Sequence, residues 1–150
     1  MDRVDRKILA ELQVDGRQSL TELAEKVGLS LSPCHRRVRA LEESGVIQGY
    51  RATIEPSQMG LNFSAIVFVT LREGHRQAVQ DFEEALVGIG HILQAQRLFG
   101  DPDYLLHVVT KDLPAFQQLY DESLSKLPNV LRLTSTLVMK RVIQDRPLPI

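Results

Sequence analysis

Two short stretches hold the side chains whose types and spacing could do chemistry. Gly100–Tyr104 reads GDPDY, with two aspartates two positions apart between strongly apolar runs. His35–Arg39 reads HRRVR, with three arginines and a histidine inside five residues. Paired carboxylates suit acid–base catalysis, half of a metal site, a plain turn satisfied by its own side chains, or a pocket for a small molecule. Clustered arginines suit bidentate contacts to guanine and clamping of phosphate, or an ordinary solvated helix face. Neither stretch decides among these readings alone.

Composition removes several of them. The single cysteine, Cys34, rules out an intramolecular disulfide framework and fits a reducing compartment. Its helical spacing with Val38 and Leu41 turns it inward, which favours a packing role over redox sensing. His75, His91 and His107 are scattered and no second cysteine is present, so no zinc-ligand spacing exists. Asp101, Asp103 and His107 make a poor metal set for the same reason. Nothing supplies a nucleophile, a phosphate-binding glycine loop or an oxyanion site, so an enzyme is disfavoured and no cofactor is expected. Aromatics are 5% of the chain with no Trp, too few for a stacking platform on single-stranded nucleic acid. No leader-like start and no apolar run of about 18 to 20 residues is present, which points to a soluble cytoplasmic protein with no membrane partner. The net charge of -1 hides an even spread, with nine Lys/Arg and nine Asp/Glu up to Gly60 and nine and ten after it. Any nucleic-acid surface must then be a local cluster on one element.

The arginine cluster falls on the third of three short helices. Ile8, Leu9 and Leu12 form the apolar stripe of the first. The polar DGRQS stretch ends it, and SLTE opens the second as a capping box of Ser19 and Glu22. Leu20, Leu23, Ala24 and Val27 form the buried side, and Gly28 stops that helix. Ser32 reads as the N-cap of the third and Pro33 as its first residue. Cys34, Val38 and Leu41 face inward, and Gly45 closes the helix. Three helices with a tight turn before the third describe a helix-turn-helix, whose last helix enters the major groove of double-stranded DNA. The DNA-contacting set is then Ser32, Pro33, His35, Arg36, Arg37 and Arg39. Arg37 either clamps phosphate or braces the motif against Glu42 or Glu43. VIQGYRATI suits a short β-hairpin or wing, in which Tyr50 either packs or touches the DNA backbone.

The period changes after the EPSQMG linker. FSAIVFVTL is a strand, apolar on both faces and expected to be covered on both. Val79, Phe82, Leu86 and Ile89 mark a helix; HILQAQRLF and YLLHVVT are strands joined by GDPD. A second helix runs through Leu113, Phe116, Tyr120, Leu124 and Leu127, and VLRLTSTLVMKRVI is the last strand. The order β-α-β-β-α-β is ferredoxin-like, with helices on one sheet face only. An apolar open face is a liability in a monomer, so a homodimer through that face is expected. The fold class is α+β, with a winged helix-turn-helix in residues 1–53, a linker in 54–61 and a ferredoxin-like domain in 62–150.

The stretches VDRKILAELQVDGRQSLTELAEKVGLS, SPCHRRVRALEESGVIQGYRA, LFGDPDYLLHVV and TSTLVMK, in this order, resemble the Lrp/AsnC (feast/famine) family of transcriptional regulators over essentially the whole chain. The resemblance implies sequence-specific DNA binding, an amino-acid effector, and dimers that assemble further, often to octamers. It implies an effector site between dimers at Gly100, Asp101, Asp103 and Tyr104, and adjacent Thr134 and Thr136 alternate onto one face of the last strand with Arg132. Relatives commonly carry an aromatic or flexible residue where this chain has Pro102, which stiffens the loop. An architectural DNA-compacting protein of the same fold is the alternative within this resemblance.

Overall fold

The computed structural model describes all 150 residues, and they form two compact units: Met1–Thr53 together with Val142–Ile150, and Ile54–Arg141.

In the first unit α1 spans Arg3–Val14, α2 Leu20–Val27 and α3 Leu31–Glu43. Asp2 caps α1, accepting from the amides of Val4 and Asp5 while the Asp5 carboxylate accepts from the Asp2 amide. Ser19 and Glu22 form the expected capping box on α2, and Gly28 ends it at φ 75°. The three helices close on Ile8, Leu23, Ala24, Val27, Cys34, Val38 and Leu41, all buried.

Two expectations fail here. Helix α3 starts before Ser32: its N-cap is Ser30, and Pro33 is the third helical residue. That position costs nothing, because the first-turn amides have no intrahelical acceptor and a missing N–H is not felt. The β-hairpin expected from VIQGYRATI is also absent, since Val46–Thr53 contains no strand. The segment is held by contacts to the helices instead. The Ile47 amide donates to the Leu41 carbonyl, and the Tyr50 hydroxyl donates to Glu42 at 2.9 Å. A Cβ on Gly16 would stand 3.2 Å from the edge of the Tyr50 ring, so a larger residue there would make the ring shift by a few tenths of an ångström.

Val142–Ile150 belongs to this unit and not to the second domain where the sequence places it. The side-chain amide of Gln13 explains the difference. Its Oε1 accepts from the Leu148 amide at 2.7 Å, and its Nε2 donates to the Leu148 carbonyl at 3.3 Å.

The second unit is an antiparallel sheet in the order β2-β3-β1-β4, built from β1 (Phe63–Leu71), β2 (Ile92–Arg97), β3 (Tyr104–Thr110) and β4 (Val130–Leu137). Helix α4 (Arg76–Val87) connects β1 to β2, and α5 (Leu113–Glu122) connects β3 to β4. Each helix crosses over one strand, the ferredoxin-like arrangement. One sheet face packs Ala65, Val67, Val69, Leu106 and Val108 against Phe82, Leu86, Phe116 and Leu124.

The opposite face is not uniformly apolar, contrary to expectation. Register places Ile66 between His107 and Thr136, and Phe68 between Leu105 and Thr134. Gln94 and Gln96 of β2 fall on the same face, opposite His107 and Leu105. The apolar strip thus follows the two central strands, while both edge strands are polar. Strands whose far neighbour is water alternate, and only central strands need to be apolar on both sides.

Candidate functional site

The core stripe orients α3 so that Cys34, Val38 and Leu41 point inward. The rest of its front is exposed: Ser32, His35, Arg36 and Arg39 are open to solvent, and Pro33 is half-buried. The side chains of Arg36 and His35 make no hydrogen bond or ion pair within the chain. Arg39 Nε pairs with Glu43 at 2.8 Å, but both groups are exposed, 69% and 65% by side chain, so the pair opens readily to an outside partner.

Arg37 differs from its neighbours. Its Nη1 lies 2.7 Å from Asp2 Oδ2 and 2.7 Å from Asp5 Oδ1, and its side chain is only 34% exposed. Neither Glu42 nor Glu43 is its partner, because Glu42 accepts from Tyr50 and Glu43 from Arg39. The hydrogen bonds to Asp5 and Asp2 raise the guanidinium above its usual range. The Asp5 amide, then Arg37, hold the Asp2 carboxyl below the usual carboxylate range. Arg37 therefore ties α3 to the start of α1. Nothing local in the sequence announces this, since the partners lie 35 and 32 positions away.

The GDPDY stretch is the turn between β2 and β3. The Leu98 amide donates to the Asp103 carbonyl at 2.7 Å, and Gly100 sits at φ 141°. Its two carboxylates do different things. Asp103 is structural: Oδ2 accepts from the Leu71 amide at 2.7 Å and its own amide donates to the Val69 carbonyl at 2.9 Å, extending the ladder past the end of β3. Asp101 points outward, its side chain 75% exposed. Its Oδ1 accepts weakly from Thr70 Oγ1 at 3.3 Å and stands 3.8 Å from Arg132 Nη2. Register continues this polar track, because Thr70 pairs with Arg132 and Thr134 and Thr136 follow on the same face of β4.

Tyr104 does not join that group. Its ring is buried on the helix side of the sheet, 4.8 Å from Phe82, and its hydroxyl donates to Glu83 at 2.6 Å. Burial, then Glu83, push the phenol up to about 12. Adjacent strand residues face opposite ways, so Tyr104 and Leu105 cannot line one pocket. Of the sequence-derived effector set, Asp101, Thr134 and Thr136 share one face and Gly100 lies in the adjoining turn, whereas Asp103 and Tyr104 serve the fold. Arg132 and Thr70 complete the polar track. Thr70 lacked any sequence signal, because it lies 31 positions from Asp101.

No group of three His, Cys, Asp or Glu side chains converges as a metal site. Asp101, Asp103 and His107 each have other neighbours: His107 Nε2 lies 2.8 Å from Ser64 Oγ and 3.1 Å from Arg141 Nη2. Cys34 is fully buried and burial pushes its thiol up, away from the reactive thiolate. No helix is long and apolar enough to cross a membrane.

Comparison with known proteins converges on one family. Residues 1–48 match the family described as winged helix-turn-helix DNA-binding, and residues 64–148 match the Lrp/AsnC ligand binding domain. The leucine-responsive regulatory proteins of Klebsiella pneumoniae and Escherichia coli are 40% identical over 150 residues, covering 100% of this chain and 92% of theirs. A Neisseria meningitidis transcriptional regulator solved with L-Met superposes at a TM-score of 0.93 with 34% identity, covering 99% of this chain and 96% of that one. An AsnC family regulator from Agrobacterium tumefaciens superposes at 0.93 with 33% identity, covering 99% and 97%. The feast or famine regulatory protein of M. tuberculosis, complexed with L-methionine, superposes at 0.88 with 34% identity, covering 97% and 96%. With a winged helix-turn-helix DNA-binding head and an Lrp/AsnC ligand-binding domain matched in order along its length, the chain belongs to the Lrp/AsnC family of transcriptional regulators.

Proposed function

We propose that this protein binds operator DNA through the exposed front of α3, with His35, Arg36 and Arg39 reading the major groove and Ser32 and Pro33 approaching the backbone. Arg37 is excluded from the contact set and instead positions α3 on α1. The single observation that carries this reading is the division of labour among the three arginines: Arg37 is bound between two carboxylates, while Arg36 has no partner and Arg39 an exposed one. Two copies of such a head, presented by a homodimer, match half-sites one helical turn apart.

The effector is a free α-amino acid, as in the relatives solved with L-methionine. Its site lies along Asp101, Arg132, Thr134 and Thr136, next to the turn at Gly100. An amino acid carries one ammonium and one carboxylate a few ångströms apart. The loose, exposed Asp101–Arg132 pair at 3.8 Å offers a complementary carboxylate and guanidinium that such a zwitterion separates and satisfies. Dimers form through the central strip of Ile66, Phe68 and Leu105 and assemble further; the effector site borders that strip, so that binding there biases the assembly and the spacing of the heads. The protein acts by binding, without turnover, in the cytoplasm.

The deciding experiment is a footprint on the protein's own upstream region at fixed salt, without and with each common amino acid. A protected site whose extent or affinity changes with one amino acid supports the regulator. A footprint that no amino acid alters, spread without sequence preference, favours an architectural protein.

A further inference from the structure

The first unit is discontinuous in sequence: the chain leaves it at Thr53 and returns at Val142. The returning segment docks by a specific device. The side-chain amide of Gln13 carries the same donor and acceptor as a peptide group, and it pairs with both the amide and the carbonyl of Leu148. This mimics one rung of an antiparallel ladder. Leu148 and Ile150 line one apolar groove together with Leu9 and Leu12 of α1 and with Val46, Ile47 and Tyr50. Pro147 and Pro149 flank the paired residue, restricting the segment before it docks and lowering the entropy it loses on docking.

One side of the groove is the segment that has no strand ladder of its own. Val46 and Tyr50 remain 44% and 49% exposed, and the backbone hydrogen bond that ties the segment to a helix runs from the Ile47 amide to the Leu41 carbonyl. We propose that Arg146–Ile150 is a built-in latch that covers Val46–Tyr50 and holds it in the conformation the DNA-binding head uses. Leu148 stays 68% exposed, so the segment lies on the groove and is not sunk into it, a contact suited to reversible release. Because the latch continues from β4, which carries Thr134 and Thr136, it is a second covalent route from the effector strand to the head, beside the linker. This inference rests on the reading of the first unit as the DNA-binding head, and its first readout needs no DNA.

The test is hydrogen exchange followed by mass spectrometry on the full chain, on Gln13→Ala, on Leu148→Asp and on protein truncated after Asp145. A synthetic peptide with the sequence of Asp145–Ile150 is then added to the truncated protein. The expected result is exchange at least tenfold faster at the Ile47 amide, the hydrogen-bonded amide of Val46–Tyr50, in all three variants, with α2 and α3 unchanged. The peptide restores protection to the truncated protein but not to its Gln13→Ala form. Operator affinity falls severalfold on truncation. Unchanged exchange across Val46–Tyr50 after truncation, with no protection by the peptide, overturns the latch. Faster exchange with unaltered operator affinity overturns its role in DNA reading. Failure of the intact protein to bind any operator would instead remove the DNA-binding assignment and leave the exchange result standing.

Discussion

Arg37 on α3 is held 2.7 Å from the Asp2 carboxylate that caps the first helix of the chain. One aspartate thus satisfies the amides at the start of α1 and anchors the helix that presents His35, Arg36 and Arg39. Removing Arg37 should loosen α3 against α1 without removing a DNA contact. The expected outcome for Arg37→Ala is a lower melting temperature, and a loss of operator affinity that disappears when binding is measured well below that temperature. A double-mutant cycle with Asp2→Asn should show coupling. Because the folded Asp2 carboxyl sits below its ordinary value of 3.8, its contribution is present above that pH and is lost as pH falls through the folded value. Acid unfolding curves of the two single mutants should therefore converge on the wild type at the lowest pH.

Arg36 and Arg39 should behave in the opposite manner. Arg36→Ala is expected to leave stability unchanged and to weaken operator binding by about 1 to 3 kcal/mol if the side chain meets a base edge. Arg39 must first leave Glu43, an exposed i,i+4 pair of the kind contributing about 0.3 to 0.5 kcal/mol. Glu43→Gln should therefore tighten binding slightly, since it frees Arg39 and removes a negative charge facing the phosphates. Fluorescence anisotropy titration at several salt concentrations separates the two arginines: a lost phosphate contact lowers the salt slope by about one unit, and a lost base contact relaxes sequence preference.

The two aspartates of the β2–β3 turn should part company on mutation. Asp101→Ala is expected to weaken amino-acid binding at least tenfold by calorimetry while leaving the melting temperature in place. Asp103→Ala should instead destabilise the second unit by about 1 to 3 kcal/mol, because the Leu71 amide loses its acceptor. Identical behaviour of the two variants would contradict the separation of roles.

His107 lies on the open sheet face with Ser64 and Arg141 both at its Nε2. Burial, then the Arg141 charge, hold its pKa below the ordinary 6.5. A base whose folded pKa is depressed binds its proton more readily when unfolded, so its stabilising effect is present above about 6.5 and is lost as pH falls below it. His107→Gln should flatten the decline in stability below neutral pH. Arg141→Ala should raise the His107 titration midpoint, measured by NMR of the imidazole carbon-bound protons.

Much of the architecture was legible because it is local. Capping at Ser19 and Glu22, the stop at Gly28 and the helical stripe of Cys34, Val38 and Leu41 depend on neighbours within a turn or two, and each was recovered. The change from a period of 3.6 to a period of 2 after the linker marked the second unit and its β-α-β-β-α-β order. The errors fell where local signals compete. Ser30 and Ser32 both suit an N-cap, and the helix begins after the earlier one although its side chain makes no capping hydrogen bond. VIQGYRATI has strand-forming residues but no partner strand within the chain, and strand propensity without pairing forms no ladder.

Amino-acid types and spacing thus determined by themselves the helix-turn-helix, the sheet domain, the arginine cluster and the position of the loop, since repeating patterns report which face each element buries. Only the tertiary structure decided which charges are committed and which are free. The partners of Arg37 lie 32 and 35 positions away, that of Asp103 32 away, and that of Gln13 135 away. Such pairs are set by how elements pack, and chain distance carries no record of them. GDPDY holds two aspartates that look alike in sequence; the fold turned one toward the Leu71 amide to finish a ladder and left the other facing Arg132 and the solvent.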